Sequence, residues 1–293
     1  MGSIETGYID VAIVAWRTRA LLRACLQSVL GQPEVDRIVV VDNASGDGTV
    51  EMVQGEFPEV HLIANQCNLG YAAANNQAIR AGRAPFILLL NPDTVVQDGA
   101  FEALLQAFEE NLRVGAVGAQ LVLPDGSIQR SCRSFPEPRA LLTDALGLWR
   151  LFPQSAFWGR YRMTYWDHDS PQEVDQPMAS ALAIRRSALE EVGLFDEGFP
   201  LYFNDVDLCY RLKQAEWRIV FQPKAKVTHH HGQSTGQIRA AALIESHRSL
   251  IHFYAKHYRG KIGWLGYWSV VLGAWITMYP RAALASASRR YST

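Results

Sequence analysis

The sequence predicts an α/β fold with a mostly parallel central sheet, and three observations carry that prediction. Strand-like apolar runs alternate with amphipathic helical stretches through the first half of the chain. Such alternation joins parallel strands by helical crossovers on both faces of a sheet. Polar residues gather directly after the runs, where open parallel sheets place their ligands.

Taken in order, IDVAIVAW reads as a buried strand, TRALLRACLQSVL as a helix, DRIVVVDN as a strand and GDGTVEMVQGEF as a turn entering a helix. VHLIANQ then reads as a strand, GYAAANNQAIRAG as a helix and PFILLLN as another strand. GAVGAQLVLPDGSIQRS predicts a strand pair around a Pro-Asp-Gly turn. Residues 135–175 are rich in Pro, Trp, Tyr and Arg with weak periodicity, and read as a long irregular segment of the kind that orders over a ligand. Regular structure resumes with MASALAIRRSALEEVGLFDEGF, LYFNDVDLCYRLKQAEWRIVF and KVTHHHGQST. In the second of these, Leu208, Leu212 and Trp217 are expected to form the core face.

Residues 1–240 are read as one domain and 241–293 as a helical C-terminal appendage. Within the latter, IGWLGYWSVVLGAWITMYP (262–280) carries no charge and is rich in Trp and Tyr. Its length stands at the lower edge of a spanning helix. A helix lying in the membrane interface, a spanning helix and a buried hairpin are all compatible with it, and membrane association is the reading carried forward.

Composition narrows the function. A chain of 293 residues that is 48% hydrophobic has ample core for a large α/β domain. A formal net charge of −1 lacks the basic footprint that nucleic acid requires. The four cysteines, Cys25, Cys67, Cys132 and Cys209, contain no Cys-x-x-Cys pair, which excludes a zinc ribbon and agrees with a reducing compartment. The N-terminus lacks the basic region and apolar run of a secretory signal, so a cytoplasmic location is expected.

The candidate chemistry lies at strand ends. Asp42 and Asn43 close the strand IVVVDN, where a carboxylate serves either as a turn or cap acceptor or as a partner for a nucleotide's base or ribose. In Asn91-Pro92-Asp93 the proline ends the strand and leaves Asp93 just beyond it. One carboxylate is enough for a hard divalent cation when a diphosphate completes the shell. Asp205 and Asp207 sit in an otherwise apolar stretch turning helical, either as caps or with one of them as a general base. His229, His230 and His231 follow a strand, so alternate rings point to opposite faces and at most one or two enter a site.

Together these motifs resemble the inverting glycosyltransferases of family 2, which have the GT-A fold, from about Asp10 to Thr235. VDNASGDGT (41–49), the loop Asn68 to Asn75 with its Gly70, NPD (91–93), NDVDLC (204–209) and His229 to Ser234 match that family's elements in order. The nearest flavour is that of bacterial rhamnosyltransferases of cell-surface polysaccharide assembly. The resemblance implies a single nucleotide-binding, Rossmann-like catalytic domain. It implies that Asp42, Asn43, Asn68, Gly70, Asn75, Asn91 and Asp93 bind a nucleotide-diphosphate sugar, first dTDP-rhamnose. Asp93 and His229 would hold Mg2+ or Mn2+, and Asp205 would be the general base. Ser180, Ala181 and Asp207, with aromatic residues between Phe135 and Trp166, would line the site of a glycan or polyprenyl-diphosphate-linked acceptor. The enzyme would then act peripherally on the inner face of the cell membrane. Two departures stand out. Ala15-Trp16-Arg17-Thr18 replaces the family's usual element after the first strand, and Asn204 replaces a glutamate. Losing that negative neighbour is expected to let Asp205 titrate lower. A sugar-phosphate nucleotidyltransferase is disfavoured because VAIVAWRTRALL lacks a glycine-rich loop, and a dinucleotide oxidoreductase because no G-x-G-x-x-G follows an early strand. A catalytically degenerate nucleotide-sugar-binding protein would lack Asp93, Asp205 or His229, and all three are present.

Overall fold

The computed structural model describes residues 8–230 and 239–290. Strands β1 (Ile9–Ala15), β2 (Val35–Asp42), β3 (His61–Ala64) and β4 (Phe86–Leu90) alternate with helices α1 (Arg19–Val29), α2 (Thr49–Glu56) and α3 (Tyr71–Ala81). These strands lie parallel in the spatial order β3-β2-β1-β4, as the alternation predicts. Every residue of β1 and β4 is buried, because helices cover both faces. The strand period of two divides their side chains between two cores. Val11 and Ile13 pack with Leu22 and Leu26 of α1, while Ala12 and Val14 pack with Ala78 and Ile79 of α3.

Past β4 the sheet becomes mixed. β5 (Thr94–Val96), α4 (Ala100–Glu109) and β6 (Val114–Val122) lead to β7 (Ile128–Gln129), which returns antiparallel on β6 around the expected Pro124-Asp125-Gly126 turn. The segment expected to be irregular is partly regular. After β8 (Cys132–Arg133) it holds α5 (Pro138–Ala145) and α6 (Leu148–Leu151), and a proline in the first turn of α5 presets the helical φ. β9 (Gln172–Glu173) pairs with the last strand of the sheet, and β10 (Gln176–Pro177) pairs with β8. β11 (Ala181–Arg185) then enters antiparallel between β4 and β6, followed by α7 (Arg186–Val192), α8 (Asn204–Gln214) and β12 (Arg218–His229). The main path reads β3-β2-β1-β4-β11-β6-β12-β5. Leu208, Leu212 and Trp217 are buried, as expected of the core face of α8 and its exit.

Two helices follow, α9 (Arg239–His257) and α10 (Arg259–Arg290), with a non-helical break at Gly263. An aromatic cluster of Phe253, Tyr254 and Tyr258 seats them on Val206 and Tyr210 of α8 and on Phe199. No helix among the described residues is long and apolar enough to cross a membrane.

At the amino ends of the strands, the buried Asp10 ties three segments together. Its Oδ2 accepts the backbone N–H groups of Arg83 at 2.5 Å and Ala84 at 2.7 Å, and Nη2 of Arg186 at 3.0 Å. Gly82 is required there, since a Cβ would stand 2.4 Å from that oxygen. Removing one partner of such a buried pair costs about 3 kcal/mol. Asp10→Ala is therefore expected to lower the unfolding free energy by that amount, read as a lower urea midpoint at an unchanged slope. A loss within experimental error would show that the three contacts are not needed.

Candidate active site

Strand register assembles the site. β1, β2 and β3 end flush, with Ala15 opposite Asp42 and Asp42 opposite Ala64. Beyond these ends opens a cavity of about 490 Å³, lined by residues that follow the strands: Trp16, Asn43, Asn68 to Tyr71 in part, and Asn91 to Asp93. Its other wall comes from Met178 to Ser180, from Pro200 to Asp205 in part, and from His229.

Asn43 organises one side. Its Oδ1 accepts Asn65 Nδ2 at 3.2 Å and the Leu69 N–H at 3.0 Å, while its Nδ2 donates to Asn68 Oδ1 at 2.9 Å. Gly70 follows with φ of 86°, and a Cβ there would lie 2.8 Å from the Pro200 carbonyl. The loop thus needs glycine for both its backbone and its close approach. Next, the Tyr71 N–H donates to that same carbonyl at 2.6 Å. The Tyr71 hydroxyl lies 3.3 Å from Asn91 Oδ1 and 3.2 Å from the Ala179 carbonyl. Burial, then the charge of Asp205, raises its pKa and keeps it a donor.

The β4–β11 pairing brings Ser180 to the NPD turn, where Asn91 Nδ2 donates to Ser180 Oγ at 3.0 Å. The β5–β12 pairing sets Thr94 opposite His229, so that His229 Nε2 reaches Asp93 Oδ1 at 3.4 Å. Both side chains are buried. Gln129 Oε1 lies 2.8 Å from His229 Nδ1, and a carbonyl oxygen can only accept, which puts a proton on that nitrogen. The other ring nitrogen, Nε2, is the one that faces the Asp93 carboxylate. Among the described residues no group of three or more His, Cys, Asp or Glu side chains converges on a metal. One carboxylate and one imidazole fit an open site whose shell is completed by diphosphate oxygens and water.

Asp205 and Asp207 share the first turn of α8 but face opposite ways. Asp205 is half-buried on the cavity wall, and burial pushes its pKa upward. The N–H groups of Ala179 at 3.4 Å and Val206 at 2.9 Å offset this only in part. Asn204 also lines the cavity, but its polar atoms are engaged in its own turn: its amide donates to the Leu201 carbonyl at 2.8 Å and its Oδ1 accepts the Asp205 N–H at 2.8 Å. Burial thus raises Asp205 even without the family's glutamate.

Asp207, expected at the acceptor site, is turned away from it. It is fully buried and contacts Arg211 Nε at 2.8 Å, Lys256 Nζ at 2.7 Å and His257 Nε2 at 2.7 Å. Burial opposes its ionisation, but the His257 hydrogen bond and the Arg211 and Lys256 charges prevail and bring its pKa to about 2. Ala181 is likewise off the cavity, inside β11, and Asn75 is buried in α3 with Nδ2 on the Tyr71 carbonyl at 2.9 Å. None of the aromatic residues between Phe135 and Trp166 lines the cavity. Phe135 stacks edge-on to Tyr210, and Trp166 stacks on His168. Asp42 lies beneath the rim, with Oδ2 on the Ser45 N–H at 3.2 Å and Oδ1 buried without a hydrogen-bond partner. His231, Gly232 and Ser234 lie outside the described residues. Met178, Pro200, Tyr202 and the His229 partner Gln129 were not indicated by any motif, and Tyr71 lies within the Asn68–Asn75 loop without having been singled out.

The family model described as "Glycosyltransferase like family 2" matches residues 7–248. The chain belongs to that family. Among its relatives, this family 2 glycosyltransferase is 35% identical over 235 residues to an N-acetylglucosaminyl-diphospho-decaprenol L-rhamnosyltransferase of Mycobacterium tuberculosis, covering 76% of each chain. It is 27% identical to the O-antigen biosynthesis protein RfbC of Myxococcus xanthus, over 80% of this chain and 18% of that protein. The fold matches GT-A enzymes of known structure. A mannosyltransferase, PcManGT, from Pyrobaculum calidifontis in complex with GDP-Man and Mn2+ aligns with a TM-score of 0.57 at 18% identity, over 98% of this chain and 76% of that one. GalNAc-T7 with UDP, GalNAc and Mn2+ aligns with 0.56 at 15% identity, over 76% of this chain and 44% of that one.

The Asp207 cluster has a pH signature. Its folded pKa near 2 lies below the ordinary 3.8, so its contribution is present above pH 3.8 and is lost as pH falls through about 2. Asp207→Asn is expected to lose about 2–3 kcal/mol at pH 7 and to flatten the acid limb of stability. Equal acid sensitivity of variant and wild type, followed by urea unfolding, would contradict this.

Proposed function

We propose that the chain is a metal-dependent, inverting glycosyltransferase that moves a sugar from a nucleotide diphosphate to a polyprenyl-diphosphate-linked or polysaccharide acceptor at the inner face of the membrane. Residues 1–240 form the catalytic part and 241–293 the appendage that brings it to the membrane. The observation that carries this reading is the shared cavity: the Asp93–His229 pair and the half-buried Asp205 line it together, at the carboxyl ends of the strands. The rhamnosyltransferase relative supports rhamnose from dTDP-rhamnose as first donor and a lipid-linked acceptor.

In this reading the Oδ1 of Asp42 accepts the N3–H of a thymine or uracil base, and the Asn43–Asn68 loop shapes the wall beside the ribose. Asp93 and His229 would hold Mg2+ or Mn2+, which would supply charge neutralisation for the diphosphate. Asn91, fixed by Tyr71 and Ser180, keeps the NPD turn in register with the cavity. Asp205 takes the proton of the acceptor hydroxyl as its oxygen bonds to the anomeric carbon, while the bond from that carbon to the nucleoside diphosphate breaks on the opposite side. One in-line displacement inverts the anomeric centre, and no covalent enzyme intermediate forms.

Nucleotide release from dTDP-, UDP- and GDP-sugars, with Mg2+ or Mn2+ and with EDTA, tests the reading. One donor should turn over only with metal. Asp205→Asn should lower kcat by about 10²–10⁴ with little change in donor KM, and Asp93→Ala should abolish metal stimulation. For the wild type, kcat/KM should rise with pH through a value above 3.8, the ordinary pKa from which burial raises Asp205. Donor binding without turnover, even with lipid-linked acceptor supplied, would instead identify a catalytically degenerate binding protein.

A further inference from the structure

α10 has two unlike sides. Val271, Ala274 and Met278 are buried on one, where Thr277 Oγ1 also lies 3.3 Å from His247 Nε2 of α9. The other side exposes Trp264, Leu265, Trp268, Leu272, Trp275 and Ile276, from 49% at Trp275 to 74% at Leu265. Their spacing of four, eight, eleven and twelve residues from Trp264 puts them in one stripe along the helix. Gly263, with φ of 70°, breaks the helix just before the stripe begins. An apolar patch of this size on a water-facing surface marks a contact face.

Charge selects the occupant. Residues 259–290 contain five basic side chains, Arg259, Lys261, Arg281, Arg289 and Arg290, and no Asp or Glu. Of these, Arg259 and Lys261 are exposed at the start of the stripe, and a second copy docked by two-fold symmetry would bring a segment with no carboxylate of its own to meet them. A bilayer with anionic headgroups offers the complement: phosphates for the basic residues and an interface that favours indole rings. The helix has the length and the stripe of an interfacial helix and, like every other described helix, is not apolar enough to cross.

We propose that this face of α10 docks the enzyme peripherally on an anionic lipid bilayer, with the Trp264, Trp268 and Trp275 indoles at headgroup depth. The proposal deepens, and rests on, the reading of a lipid-linked acceptor. The aromatic cluster joins α9 and α10 to α8, so docking holds the helix that carries Asp205 at a fixed height above the lipid surface.

The test is co-sedimentation of the full-length protein with vesicles of phosphatidylglycerol and phosphatidylcholine, against phosphatidylcholine alone, with no acceptor present. Wild type should bind the anionic vesicles and leave them at high salt. Trp264→Ser/Trp268→Ser and Leu265→Ser/Leu272→Ser, all at exposed positions, should each weaken binding at least about tenfold. Both variants should retain wild-type donor turnover in detergent without vesicles. Equal binding to both vesicle types, or variants that bind like wild type, would overturn the proposal. So would a wild-type dimer that the variants convert to monomer, since the face would then hold a second copy. Vesicle binding that survives while no donor turns over would remove the transferase reading and leave the docking face standing.

Discussion

The burial of the Asp207 carboxylate among Arg211, Lys256 and His257 is the interaction on which the α8 wall of the cavity depends. Residues two apart on a helix point to different sides, so one turn of α8 carries two carboxylates in opposite surroundings. Asp207 faces inward and is held ionised by cations from its own helix and from α9. Asp205 faces the cavity and has no cation among its hydrogen-bond partners, so desolvation dominates its titration. Fixing the first side chain fixes the second, because both move with the same turn of backbone. The helical appendage therefore helps to fix the turn of α8 that lines the cavity.

Much of the fold was legible because its signals are local. The three crossovers from β1 to β4 follow from apolar runs of strand length and from helices with one apolar side, and the hairpin at Pro124-Asp125-Gly126 follows from turn chemistry. The site was legible only as a set of strand-end residues. That Asp93 meets His229 depends on the β5–β12 register, which no local pattern encodes. The placing of Asp207 has the same origin: its partner His257 lies 50 residues later, and a carboxylate two residues from Asp205 looks like part of the same site until its partners are seen. Gln129 was invisible for a like reason, since a two-residue strand carries no periodicity. Asn75 closes a recognised loop element and Ala181 was expected at the acceptor site, yet the helix and strand that hold them bury them in the fold.

Three residues other than glycine adopt left-handed backbone around the cavity: Arg17 with φ of 55°, Ala44 with φ of 60° and Phe203 with φ of 65°. Each directs the chain where a strand ends or where α8 begins. Side chains there disfavour this conformation, so packing must hold it. Arg17 is held by the Ser45 Oγ on its N–H at 3.0 Å, and Phe203 by the aromatic cluster beneath α9. The turns of the Ala15–Thr18 element and of the NDVDLC element are therefore braced from outside the cavity.

The contact between Gly70 and Pro200 gives the two sides of the cavity a common frame. The Asn68–Tyr71 loop and the loop leading to Asp205 meet through backbone alone, by the Tyr71 N–H on the Pro200 carbonyl and by a gap too narrow for a methyl group. Any change in the shape of the cavity wall therefore has two loops to change in concert, because a longer or bulkier first loop displaces the second. Recombination between relatives that cuts between residues 71 and 200 separates halves that were fitted to each other. Exchange of the whole block between those points keeps the seam intact only if both of its edges come from one parent.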